Sequence, residues 1–341
     1  MPITRTSQTR DRLSILRPEA GAGGDPESGA ETLASAVRRG LTHEPKWLPC
    51  RFLYDATGSE LFEQICEQPE YYPTRTEDAI LRDQAGEMVA GWDEAPVMIE
   101  LGSGSSTKTR RLIEAALDAY DRLHYVPVDV SETILEESAR SLVDDYPALN
   151  VTGIVSDYHT ALRAVRRRFP GPKLVVFLGS SLGNFDDEDA VALLRHLSEA
   201  LGPEDRLLIG LDQVKDAATL EAAYDDAAGV TARFSKNILT RINRELDADF
   251  DPDRFAYQAR FVPERHRVEM RLISDREQDV AIPGAGLRVR FAAGESIHVE
   301  NSHKYTPGLL RDLASRSGFV EEGSWSDPDR YFRVQRWRPR V

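Results

Sequence analysis

A glycine pair flanked by acids carries the chemistry most easily seen in this chain. Glu100-Leu101-Gly102-Ser103-Gly104-Ser105 falls between an apolar run, 97–101, and a stretch with apolar residues at helical spacing, 107–120. Glycines lacking a Cβ let the backbone approach a ligand closely, and a strand-to-helix turn is where open α/β sheets bind ligands. A bare GxG is also compatible with a plain tight turn. Thr107 stands where a dinucleotide loop carries its third glycine. Glu100, next to the loop, suits a cationic ligand better than a phosphate. Asp129 closes the following strand, where a carboxylate can accept both ribose hydroxyls or serve the start of the next helix. Ser131 is the better-placed helix cap, although Ile134 stands where a capping box wants Glu or Gln. Asp157-Tyr158 ends a third strand and could set a carboxylate near an adenine amino group. Together these residues favour S-adenosylmethionine, a nucleoside with positive charge and no phosphate, over NAD.

The elements that must hold these groups alternate. Strands are predicted at 97–101, 125–130, 149–155, 173–179 and 206–212, with helices at 107–120, 131–146 and 186–202. Apolar strands alternating with helices predict a parallel sheet covered on both faces. After Asp212 the alternation stops: 218–246 reads as helical, then strand-like pieces follow, then a helix at 307–318 and a strand at 331–338. A block near 214–304 therefore interrupts the α/β core and is expected to form a second domain with residues 33–75. Residues 1–32, rich in Gly, Pro, Ser and Glu, read as a flexible tail. Acidic residues outnumber basic ones 57 to 43, a field that repels phosphate backbones, so no nucleic-acid partner is expected. Two cysteines are too few for a disulfide scaffold, no Cys/His cluster has zinc spacing, and no run spans a membrane. A cytoplasmic monomer without a metal is expected.

Longer strings carry a resemblance. YDATGSELFEQICEQPEYYPTRTE (54–77), IELGSGSSTKTRRL (99–112), VVFLGSSLGNF (175–185), LDQVKDAATLEAAYDDAAGVTARFSKNIL (211–239) and INRELDADFD (242–251) closely resemble the histidine-specific methyltransferase family, whose best-known members are the L-histidine Nα-methyltransferases of ergothioneine biosynthesis. The resemblance covers about residues 36–340. It implies a Rossmann-like class I methyltransferase sheet over 76–213 plus 305–341, with an α+β substrate-binding domain over 33–75 plus 214–304. It implies S-adenosylmethionine held by Gly102, Ser103, Gly104, Lys108, Asp129, Asp157 and Tyr158, the last replacing a Phe of close relatives. It implies L-histidine held at its α-carboxylate by Asn184 and Tyr224, with the Gly179 backbone near the amine. Tyr71, Glu300 and Ser302 would meet the imidazole, and Tyr54 would lie near the methyl-accepting nitrogen. Met270 also matches the family, as pocket lining or as core. The family trimethylates the amine to a betaine.

The chemistry has its own logic. Residues i and i+2 of a strand face one side, so Glu300 and Ser302 would share a cavity; the alternative is a solvated strand edge. A neutral imidazole has one N–H donor and one acceptor nitrogen, which a carboxylate and a hydroxyl complement. Asn184 and Tyr224 donate to a carboxylate without adding positive charge, which suits an amine that must be neutral to react; a turn residue and a packed helix residue are the plainer readings. Other outcomes are a same-family enzyme acting on another amino acid or amine, or an NAD-dependent oxidoreductase.

Overall fold

In this computed structural model the described residues are 12–18 and 31–340. They form two compact units. The first comprises 12–18, 73–213 and 305–340, and the second 31–72 and 214–304.

The first unit is built on an eight-stranded sheet. In spatial order its strands are Leu13–Leu16, Leu149–Val155, Leu123–Asp129, Val97–Leu101, Lys173–Phe177, Arg206–Asp212, Phe332–Pro339 and Phe319–Ser326. The first six run parallel and the last two pair antiparallel. Alternate residues of one strand enter different cores. Ile99, Val175, Phe177, Leu207 and Ile209 belong to one cluster. Met98, Leu174, Val176 and Leu208 belong to the other. That is the pattern of a sheet covered on both faces, and it explains why these strands read as continuous apolar runs. Val97–Leu101 is flanked by Leu123–Asp129 on one side and Lys173–Phe177 on the other. The strand order reverses there, so the glycine loop emerges at the topological switch point.

Residues 1–11 and 19–30 of the expected tail lie outside the described residues. Within it, however, Leu13–Leu16 is a strand, paired in parallel with Val151–Ile154. Arg12 secures it by donating to the carbonyls of Val143, Tyr146 and Leu149. Four residues with three apolar side chains are too short a signal to stand out of a polar segment.

The second unit holds a four-stranded sheet in the order Lys46–Trp47, Ser296–His303, Arg267–Ser274, Phe255–Val262. Gln278–Ile282 and Leu287–Phe291 make a separate antiparallel pair. The helical stretch predicted over 218–246 is broken into Ala217–Tyr224 and Val230–Leu246. The break is set by Asp226, whose carboxylate accepts from the N–H groups of Val230 and Thr231, both at 2.8 Å, and from the Thr231 hydroxyl at 2.6 Å. Gly229 supplies the left-handed residue before the second helix, at φ 67°. Among the described residues no helix is long and apolar enough to cross a membrane.

Deleting residues 1–18 uncovers the Leu149–Val155 edge. The truncated protein is expected to unfold several degrees below the full chain in a thermal melt. An unchanged melting temperature would show that the strand contributes nothing.

Candidate active site

In the first unit the glycine loop is fixed from below. Gly102 and Ser103 donate to the carbonyl of Val128, and Gly102 sits at φ 71°. A Cβ on Gly104 would meet nothing within 4 Å, whereas one on Gly102 would come within 2.8 Å of the Tyr158 hydroxyl. Ser103 Oγ is buried with no hydrogen-bond partner among the described residues. An open backbone cradle beside a buried polar atom fits a ligand rich in hydroxyls and amines. Asp129 leans over the same loop, accepting from the N–H groups of Gly104 and Ser131, both at 2.9 Å. Desolvation raises its pKa against those two bonds. Each oxygen keeps lone-pair capacity for a ribose hydroxyl. Ser131 is the residue before the helix, as expected, but its side chain makes no capping bond.

Two acids of the sequence reading have structural roles as well. Glu100 does not face a ligand. It is buried, with Thr109 donating to one oxygen at 2.5 Å and Tyr125 to the other. Desolvation pushes it up to about 7, opposed by those hydroxyls. It ties the strand to the helix after the loop. Asp157 is the N-cap of Tyr158–Arg168, accepting from the Thr160 N–H and hydroxyl, both at 2.9 Å. The Asp-x-x-Thr spacing carried that capping signal. Tyr158 packs edge-on to Phe177 at 5.4 Å.

Glu77 went unnoticed in the sequence, although it ends the string 54–77. It is wholly buried and takes the ammonium of Lys108 together with the Gly179 N–H, at 2.9 and 3.0 Å to its two oxygens. The Gly179 N–H is thereby committed to Glu77. A Cβ on Gly210 would collide with Glu77 Oε1. Asn184 ends the short helical turn Ser181–Asn184, half-buried, on the same unit.

The second unit gathers the other residues. Glu300 pairs directly with Met270 across the sheet, and Ser302 with Val268. Cross-strand partners share a face, so Glu300, Met270 and Ser302 lie on one side. A bulge between His298 and Glu300 precedes them. Glu300 and Ser302 are both buried, so the solvated-edge alternative fails. Met270 is wholly buried between Ala259 and Glu300. The Ser302 and Tyr224 hydroxyls are 2.7 Å apart. Tyr224 closes its helix, and its carbonyl is held by the Tyr257 hydroxyl at 2.7 Å. Asn184 and Tyr224, paired in the sequence reading, thus belong to different units.

Tyr224 adds no charge of its own, but Lys304 brings one to it. Its buried ammonium donates to Tyr224 Oη at 2.7 Å and to Ser302 Oγ at 2.8 Å. The alternation linking Glu300 to Ser302 reaches Lys304 after two more residues, so the signal was present. Desolvation pushes Glu300 up to about 8, with the Lys304 charge pulling it down. Aromatic rings line up beside these groups. Tyr71 meets Tyr224 at 5.9 Å and Phe62 at 6.3 Å, and Tyr54 meets Phe62 at 5.6 Å and Phe234 at 5.2 Å, all edge-on. Tyr54 is set by Asp55, which caps Ala56–Cys66 and binds Asn237 at 2.7 Å. Among the described residues no group of three or more His, Cys, Asp or Glu is placed to hold a metal ion.

The model of the histidine-specific, S-adenosylmethionine-dependent methyltransferase family matches residues 33–339. A histidine N-alpha-methyltransferase of Mycolicibacterium smegmatis is 42% identical over 302 residues, covering 89% of this chain and 93% of the relative. One from Mycobacterium tuberculosis is 40% identical, covering 88% and 93%. Ergothioneine biosynthesis protein 1 of Neurospora crassa is 29% identical, covering 84% of this chain and 32% of that longer protein.

Two outcomes follow from the geometry. Gly210→Ala should push Glu77 off Gly179 and Lys108. S-adenosylhomocysteine binding by calorimetry should weaken about tenfold or more, with wild-type affinity as the contrary result. For Glu300, the folded carboxyl holds its proton more tightly than the unfolded one. Its contribution to stability is therefore full below the ordinary carboxylate range and lost as pH rises through about 8. The wild type should lose more thermal stability between about pH 6 and pH 9 than Glu300→Gln. Glu100 shifts in the same direction in both proteins and cancels. Equal losses would contradict the assignment.

Proposed function

The chain belongs to the histidine-specific, S-adenosylmethionine-dependent methyltransferase family, and from that premise we propose that it methylates the α-amino group of L-histidine three times, giving the trimethylated betaine. The observation that carries the reading is the buried face of the second unit, where a carboxylate, a hydroxyl pair and an ammonium stand together. Glu300 accepts the imidazole N–H, and a hydroxyl of the Ser302–Tyr224 pair donates to an acceptor of the ligand. A side chain of the same size without ring nitrogens forfeits that hydrogen bond to a buried carboxyl, at a cost of about 1–3 kcal/mol. Tyr71 packs edge-on to Tyr224 and borders the same face.

Gly102, Ser103, Gly104, Lys108 and Asp129 would hold the cofactor, with Tyr158 over Gly102. Asp157, as a helix cap, orders the backbone on which Tyr158 sits. The bound cofactor supplies a methyl group on a sulfonium, already activated toward a nitrogen lone pair. The protein's task is therefore orientation and exclusion of water. Asn184 and Tyr224 are assigned to the α-carboxylate of the substrate, and the Gly179 backbone to the neighbourhood of its amine. The amine must shed its proton before each transfer; Tyr54 orients the water that takes it. Repeated methylation builds a quaternary ammonium, which aromatic faces tolerate and a fixed cation would repel. The run of Tyr54, Phe62, Phe234, Tyr71 and Tyr224 supports that extent of reaction. Neither Cys50 nor Cys66 is in a disulfide, in keeping with the proposed cytoplasmic setting.

Mass spectrometry of L-histidine incubated with the protein and S-adenosylmethionine tests this directly. Mono-, di- and trimethylhistidine should accumulate in order. Accumulation that stops at one methyl group would refute the extent, and methylation of another amino acid in preference to histidine would refute the substrate.

A further inference from the structure

Lys304 stands on the Glu300 face with an ammonium to which the proposed reaction gives no contact with the substrate. It is 1% exposed, in a position where an ammonium must be offered acceptors or lose its charge. Its acceptors include two neutral hydroxyls, Tyr224 Oη at 2.7 Å and Ser302 Oγ at 2.8 Å, themselves 2.7 Å apart. The Tyr224 ring also lies under the ammonium, 4.5 Å from Nζ to the centroid. The backbone N–H of Lys304 donates to the His266 carbonyl at 2.6 Å, so the chain that delivers the side chain is pinned as well.

This closed triangle fixes proton direction. An ammonium only donates, so both hydroxyl oxygens accept from it. The two hydroxyls own one hydrogen each. One of these bridges the pair, and the other must point out of the triangle. Without Lys304 either hydroxyl could rotate to donate or accept at will. With it, the pair is set as a donor, polarised by the charge behind it. Glu300, two and four residues before Ser302 and Lys304 on the same run, accepts through a carboxyl oxygen whether or not it is ionised. Donor and acceptor are thereby held in fixed roles on one face, which is what an imidazole with one acceptor nitrogen and one N–H requires.

We propose that Lys304 is a positioning residue for substrate specificity: its buried ammonium locks the Tyr224 and Ser302 hydroxyls into a donor directed at the bound amino acid. The proposal rests on histidine being the substrate. It gives Lys304 no contact with the reacting amine, so its loss should appear in KM and spare kcat.

Initial rates with L-histidine and S-adenosylmethionine, on the full chain, test it. In Lys304→Met the histidine KM should rise on the order of 30-fold, with kcat within about threefold and S-adenosylhomocysteine affinity within about twofold of wild type. Lys304→Gln, which keeps two N–H donors, should recover part of the KM loss. Should Lys304→Met fail to fold, a KM for Lys304→Gln raised several-fold at unchanged kcat supports the proposal and a wild-type KM overturns it. Placing Lys304→Met in a Tyr224→Phe background should add far less than the single change does, because the triangle is already broken. Full multiplication of the two losses would overturn the proposal, as would equal losses of histidine and S-adenosylhomocysteine binding. A wild-type protein that leaves histidine untouched would instead overturn the substrate reading, whatever the variants do.

Discussion

A charge taken out of water must be met by partners within hydrogen-bond reach, and the second unit is arranged around that requirement. Glu300, Ser302 and Lys304 lie buried at the end of a strand that is otherwise apolar inward, alongside Ile297 and Val299. Burying a carboxylate and an ammonium there is unfavourable unless each is paired. The hydroxyls of Ser302 and Tyr224 serve Lys304, and the Lys304 charge in turn steadies Glu300. The packing of the unit follows from keeping these atoms in place. The helix break at Asp226 ends Ala217–Tyr224 where Tyr224 is needed, and Tyr257 holds its carbonyl. A ligand with complementary ring nitrogens makes that arrangement favourable, and an apolar one does not.

The first unit solves the same problem with Glu77. A wholly buried carboxylate near the carboxyl ends of the parallel strands is satisfied by Lys108 and by the Gly179 backbone. Gly210 leaves the room it occupies. Glu77 thus joins the long helix Tyr72–Val89 to two loops, one after Lys173–Phe177 and one before Arg110–Tyr120. Glu100 does comparable work one strand away through Thr109 and Tyr125. Both acids lie close to the glycine loop in sequence or in space, yet they brace it and do not reach for a ligand.

Much of this was legible in the sequence, for identifiable reasons. The strands 149–155 and 206–212 could be read to the residue because buried parallel strands are uniformly apolar. The Gly102 loop and Asp129 were legible because backbone approach and strand-end acids leave type-specific marks. What escaped was long-range. Nothing local in Glu77 tells that Gly179 and Lys108 converge on it. Leu13–Leu16 is a strand only because the Leu149–Val155 edge needs a partner. Lys304 reads as an exposed lysine until the alternation from Glu300 is carried to its end. Asp157 also caps the helix Tyr158–Arg168, a second role that its spacing to Thr160 already marked. Phe319–Ser326 has Glu321, Glu322 and Gly323 in its middle, which mask an edge strand half open to water.

The central claim is that the substrate is read by Glu300 at its ring and by the Ser302–Tyr224 hydroxyl pair. A crystal structure of the protein with L-histidine and S-adenosylhomocysteine measures this most directly. One ring nitrogen should lie within about 3 Å of a Glu300 carboxylate oxygen, with the hydroxyl pair within the same reach of another acceptor on the ligand. A ring lodged away from Glu300, with its nitrogens bonded to other groups, would contradict the account.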